Sequence, residues 1–70
     1  MPQMPPRALV VLRVPRGADA PDGAHIRAAI AADRQRLSLP ATPLLEYRLA
    51  GPYAIQIGSE AVDEYVAWEI

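Results

Sequence analysis

Residues 7–14 have the sequence Arg-Ala-Leu-Val-Val-Leu-Arg-Val, and this pattern predicts a β-strand. Its apolar side chains occur in both phases of the strand, because Val10 and Leu12 lie on one face and Leu9 and Val11 on the other. Residues 15–17, Pro-Arg-Gly, then form a turn signal that ends the strand. Since both faces are apolar, the pattern is typical of a central strand with both faces covered.

An alanine-rich helix is predicted from about residue 20 to residue 37. Ile26, Ile30 and Leu37 recur at helical spacing and form one apolar stripe. Either Asp19 or Asp22 is suited to cap the helix, because a carboxylate oxygen accepts hydrogen bonds from the free N–H groups of the first turn. The small alanine side chains favour close packing of this helix on a sheet.

Two more strands are predicted over residues 44–49 and 53–57, where apolar and polar side chains alternate. Between them lies Ala50-Gly51-Pro52, which is a turn signal. Residues 44–58 are therefore expected to form a β-hairpin.

Residues 59–70 allow two interpretations. Ser59 in a capping position, with Glu60 and Asp63 in the first turn, favours a short helix from 59 to about 67. The alternation of Val66 and Trp68 with smaller or charged residues favours a strand instead. We expect the helix. The predicted fold class is a small α+β domain of order β-α-β-β-(α or β), with one main helix on a sheet of three strands, or of four if the last segment is a strand.

Chain length and cysteine content limit how this domain is stabilised. The chain has 70 residues, no cysteine and one histidine, so we expect no disulfide, no metal site and no other cofactor. The core of such a small domain rarely supplies more than about 3–5 kcal/mol, which leaves oligomerisation as additional support. We expect a flexible proline-rich arm over residues 1–6 and a single domain over residues 7–70.

Charge and hydropathy argue against two classes of partner. The formal net charge of −1 disfavours a nucleic acid partner, since binding phosphates requires an excess of basic residues. No apolar run approaches the roughly 18 residues of a membrane span, and we expect a cytoplasmic protein without a membrane partner. Residues 1–36 sum to +3 and residues 37–70 to −4, an asymmetry that suits pairing between subunits.

Three patterns were considered for chemistry. The glycines form no phosphate-binding loop, so no small-molecule substrate is evident. His25 would lie near Asp22 and act as a base oriented by a carboxylate, although a surface histidine near a helix end is the interpretation we favour. Pro2 would become an N-terminal amine on removal of Met1. In this residue and in its strand-helix-strand order the chain resembles the small tautomerases, and the resemblance implies a catalytic proline amine. In this chain, however, residues 3–6 intervene before the first strand.

By elimination, the sequence favours a non-catalytic protein-binding module that acts as a homodimer or by capping a larger protein. Antitoxins, phage-encoded inhibitors and small accessory subunits work in this way. Aromatic side chains are enriched at interface hot spots. The predicted contact residues are Tyr53, Tyr65, Trp68 and Ile70, with Arg27, Arg34 and Arg36 as their charged counterpart. The alternatives are a small oligomeric enzyme with a site between subunits and a structural subunit of a larger assembly.

Overall fold

The computed structural model describes residues 7–40 and 46–70, which form three strands and one helix. The elements are β1 (Ala8–Pro15), α1 (Gly23–Arg36), β2 (Tyr47–Ile57) and β3 (Glu60–Glu69). All strand pairs are antiparallel, and the order in the sheet is β1-β3-β2. The predicted α+β class is therefore confirmed. The arm predicted over residues 1–6 and the start of the strand predicted over 44–49 lie outside the described residues.

The strand β1 lies at an edge of the sheet, which corrects the central position that its apolar pattern predicts. The centre belongs to β3, which pairs with β1 as far as Pro15↔Val62 and with β2 as far as Ile57↔Glu60. Because β2 and β3 are joined by a two-residue turn, they are neighbours in the sheet. β1 therefore adds to the hairpin from outside, at the free side of β3, and becomes an edge strand.

The last segment of the chain is a strand, so the helix expected from 59 to about 67 is not formed. Gly58 has a φ of +60° and forms a two-residue turn with Ser59 between β2 and β3. A type II′ hairpin turn needs glycine with positive φ at its first position. Ser59 is thus a turn residue, and hydrogen bonds from both neighbouring strands outweigh its local capping signal.

The strand β2 continues through the segment in which the sequence predicts a hairpin turn. Ala50 pairs with Val66 and Tyr53 pairs with Glu64, so the register against β3 shifts between them. The Gly51-Pro52 peptide bond within this irregularity is cis. Since both flanks pair with the same neighbouring strand, Gly51-Pro52 is a bulge within one strand and not the end of two.

The helix α1 covers one face of the sheet and forms a thin core with it. Its N-cap is Asp22, whose Oδ1 accepts a hydrogen bond from the N–H of His25 at 2.8 Å. Asp22 is one of the two residues predicted for this role. Ile26 and Ile30 are 2% and 6% exposed and pack with Ala67 of β3. Half-buried side chains around them are Leu9, Val10, Leu12, Tyr47 and Leu49. Among the described residues, no helix is long and apolar enough to cross a membrane.

Candidate protein-binding surface

Alternation along the central strand assigns side chains to two faces of the sheet. Ala67 packs with the helix residues of the core, so its neighbours Val66 and Trp68 point to the opposite face. Directly paired residues share a face, which places Val11 beside Val66 and Tyr53 beside Glu64. We call this second surface the open face, because no described helix or strand lies over it.

The open face carries apolar side chains from all three strands. Its large apolar members are Val11, Tyr53, Ile55, Ile57, Val62, Val66 and Trp68, of which Val62 is buried by its neighbours. Val11 and Tyr53 are 47% and 50% exposed, and Val66 and Trp68 are half-buried by their neighbours within the sheet. An apolar patch that spans several strands and is rimmed by polar groups is typical of an interaction site.

Charged side chains on the open face come from all three strands. Arg13 of β1 donates its Nε–H to Glu64 Oε2 of β3 at 3.1 Å, which neutralises both charges. Arg48 pairs in register with Trp68 and is exposed. Within the described part of the chain, its guanidinium has no hydrogen-bond or ion-pair partner. The open face therefore presents a cation beside an indole ring.

The predicted contact residues of the second half of the chain fall in three different places. Tyr53 and Trp68 share the open face, with the Ala50 and Val66 pair between them. Tyr65 points to the helix side and is 6% exposed, so it belongs to the interior. Ile70 follows the end of β3 and is 78% exposed.

The three predicted contact arginines lie on α1, across the sheet from the open face. The guanidinium carbon of Arg27 lies 5.3 Å from the ring centroid of Tyr47. Arg34 donates its Nε–H to the carbonyl of Pro40 at 2.8 Å. Arg36 donates to Asp33 Oδ1 at 2.6 Å within the helix. These side chains are engaged within the chain and do not join Tyr53 and Trp68 in one surface.

The sequence reasoning missed Val11, Val66 and Arg48 as members of one surface. The signal for Val66 was present in the strand interpretation of residues 59–70, which places it on the same face as Trp68. The alternation over residues 44–49 likewise separates Arg48 from the face of Tyr47 and Leu49. No local pattern showed that β1 lies on the far side of β3 and brings Val11 to the same face.

Of the residues with a predicted catalytic alternative, the structure describes His25 and its neighbour Asp22. The His25 side chain is 81% exposed, and its Nδ1 lies 3.9 Å from Asp22 Oδ1 at the start of α1. Pro2 lies outside the described residues. In residues 7–40 and 46–70, no group of three or more His, Asp and Glu side chains is placed to hold a metal ion.

A polar cluster ties the three strands together near the end of β1. Asp63 is 8% exposed, and its Oδ2 accepts the N–H of Gly17 at 3.0 Å. Its Oδ1 lies 3.3 Å from Arg16 Nε. Arg16 also donates to the carbonyls of Ile55 at 2.6 Å and Val62 at 3.4 Å. Since both carboxylate oxygens of Asp63 and the guanidinium of Arg16 have partners here, the cluster stabilises the sheet.

Replacing Asp63 with alanine is expected to lower the free energy of unfolding by about 1–3 kcal/mol, because the Gly17 N–H loses its acceptor and the Arg16 guanidinium keeps only its carbonyl partners. Arg16 stays partly in water, which keeps the loss below that of a fully buried pair. Urea unfolding followed by circular dichroism measures the change. Glu60→Ala at the exposed start of β3 is the matched control. Equal values for the two variants would contradict a stabilising role for Asp63.

No protein-family model, curated protein or solved structure matches this chain. Its function is therefore inferred from the chemistry of the open face.

Proposed function

We propose that this chain is a non-catalytic protein-binding module whose open face docks on a larger protein partner. The observation that supports this proposal is an apolar sheet face over which no described element packs, although the opposite face is covered by α1. The side chains on it include Tyr53 and Trp68, of the residue types that dominate interface energetics. A cysteine-free chain suits the reducing cytoplasm, which is where we propose that it acts.

The chemistry of the open face defines the partner that it fits. Ile55 and Ile57 continue the apolar surface of β2 to the β2-β3 turn, and Ile57 is 44% exposed. At the other end, Arg48 stands beside Trp68 without a described partner. The complementary surface is an apolar patch on a protein, with an Asp or Glu side chain placed to pair with Arg48.

Capture of the partner by the tagged full chain, followed by titration of the identified protein, tests this function. Tyr53→Ser is expected to weaken binding by about 1–3 kcal/mol, since it removes an exposed aromatic ring from the open face. Arg48→Glu is expected to reduce the association rate and its salt dependence. Ala31→Glu, at an exposed position of α1, changes the helix side and is expected to leave binding unchanged.

The single tryptophan of the chain provides a second readout. Trp68 is half-buried on the open face, so docking there is expected to shift its fluorescence emission to shorter wavelength. A partner that binds Tyr53→Ser as tightly as the unmodified chain, or that is lost on Ala31→Glu, would contradict docking on the open face.

A further inference from the structure

The edge strand β1 presents free backbone groups to a second strand. Arg16 donates its N–H to the carbonyl of Ala61 in β3. In an antiparallel ladder the direction of the bonds alternates, so the backbone groups of Val10, Leu12 and Val14 also face β3. Those of Val11 and Arg13 therefore point away from the sheet. Pro15 takes the next outward position, where a missing N–H breaks no bond within the chain.

Of the two sheet edges, β1 is the one suited to pairing. The outer edge of β2 is interrupted at its centre by the register shift between Ala50 and Tyr53 and by Pro52, which has no N–H. In β1 the shift lies near the start, between Ala8 and Val10, and residues 10–14 keep a regular register.

We propose that β1 pairs in antiparallel fashion with β1 of a second copy of this chain, about a twofold axis at Leu12. In this register, Val11 and Arg13 exchange backbone hydrogen bonds with Arg13 and Val11 of the second copy. Both N–H groups of residues 10–14 that point away from β3 then have an acceptor. On the helix side, Leu12 lies opposite Leu12 and Val14 opposite Val10 of the second copy. All of these cross-strand neighbours are apolar.

A groove beside β1 is placed to receive a side chain of the second copy. It lies between the strand and the segment that leads into α1. Its lining combines the apolar Leu12, Val14, Ala20 and Pro21 with the polar or charged Arg13, Asp19, Asp22 and His25. The register places Val10 of the second copy opposite Val14, at the apolar part of this groove. The same contact forms twice, as a twofold axis requires.

Charge complementarity supports a second copy as the occupant. Arg7 precedes β1, and Asp19 lines the groove near the end of β1. Within the described ranges, neither side chain has a hydrogen-bond or ion-pair partner. In the antiparallel register the start of one β1 lies beside the end of the other, which brings Arg7 of each copy toward Asp19 of its neighbour. The paired charges are of opposite sign at both ends.

This inference goes beyond the proposed function and does not rest on it. Pairing at the β1 edge joins two sheets side by side and keeps both open faces on the same side of a sheet twice as wide. Both surfaces stay available for a partner. The dimer thus supplies backbone pairing that a thin single-chain core lacks, and it doubles the docking surface.

The solution mass by light scattering over a wide concentration range gives the first test. The unmodified chain is expected to have the mass of two copies. Val11→Pro removes an outward N–H without breaking a β1-β3 bond, so the mass is expected to fall to one copy with the circular dichroism spectrum retained. Val11→Thr keeps the N–H and the branched shape, and it is expected to remain dimeric.

Cysteine cross-linking tests the register, since the chain has no cysteine of its own. Leu12 lies opposite itself in a pair without mutual hydrogen bonds, where the Cα atoms are about 4.5 Å apart, within the range of a disulfide. Leu12→Cys is expected to form a covalent dimer on mild oxidation. Val14→Cys alone is expected to stay uncoupled, whereas its mixture with Val10→Cys is expected to couple.

Two results would overturn the proposal. One is a monomeric mass at every concentration together with no cross-link in Leu12→Cys. The other is a dimer that survives Val11→Pro but dissociates in Tyr53→Ser, because it would place the contact on the open face. Partner capture that persists in monomeric Val11→Pro would leave the proposed function intact, so the two ideas fail separately.

Discussion

Replacing Gly51 with alanine is expected to unfold most of the protein at room temperature. A Cβ at this position would lie 2.8 Å from the carbonyl oxygen of Glu64 and 2.9 Å from Cδ1 of Tyr65. Gly51 also has a φ of +130°, which L side chains rarely adopt. Strained backbone costs about 1–3 kcal/mol and overpacking about 1–3 kcal/mol more. The sum is comparable to the whole stability of a domain of this size, about 3–5 kcal/mol.

The matched control for this substitution is Gly17→Ala. Gly17 has a φ of +84°, but no described atom lies within 4 Å of its would-be Cβ. Its replacement is expected to cost only the backbone term, about 1–2 kcal/mol. Circular dichroism and thermal unfolding compare the two variants. If both lost the same stability, the close approach of β2 to β3 at Gly51 would not be the cause.

Replacing Ile26 with alanine is expected to lower the free energy of unfolding by about 2–5 kcal/mol. Ile26 is 2% exposed and is one of the two helix side chains that pack with Ala67. Because the core has few large side chains, its neighbours are expected to rearrange little into the cavity that the substitution leaves. Urea unfolding followed by both circular dichroism and Trp68 fluorescence measures the loss. Because Trp68 lies on the open face, coincident transitions would show that both sides of the sheet unfold together.

Leu37→Ala is the control for the Ile26 substitution. The helical spacing of the sequence places both residues on one stripe, but Leu37 follows the end of α1 and is 50% exposed. Its replacement is expected to change stability by less than about 1 kcal/mol. A loss as large as that of Ile26→Ala would contradict the core as described.

The one-sided core is the reason that we propose an interaction surface on the open face. α1 buries one face of the sheet, and the described chain has no second layer for the other face. The sheet and α1 already form the two packed layers of a domain, and we propose that a partner covers the apolar side chains that remain on the open face. Pairing at β1 addresses a different deficit, the unsatisfied backbone groups of an edge.

Local features were predictable from the sequence because they depend on residues close together in the chain. Asp22 caps α1 through the N–H of His25 three positions later. The short apolar run predicted the strand over residues 7–14, which forms as Ala8–Pro15. Turn residues alone did not locate the hairpin turn, since both Gly51-Pro52 and Gly58-Ser59 are suited to a turn. The pairing of β2 with β3 shows that the hairpin turn is at Gly58-Ser59.

The composition of the candidate site was determined by the sequence, and its geometry by the tertiary structure alone. In a helix, Tyr65 and Trp68 are three positions apart and share one side. In a strand the same spacing places them on opposite faces. The choice between these states depends on hydrogen bonds to β1 and β2, whose residues are distant in sequence. Those distant bonds turn Tyr65 to the helix side of the sheet, where it is 6% exposed, and place Trp68 on the open face that also carries Tyr53.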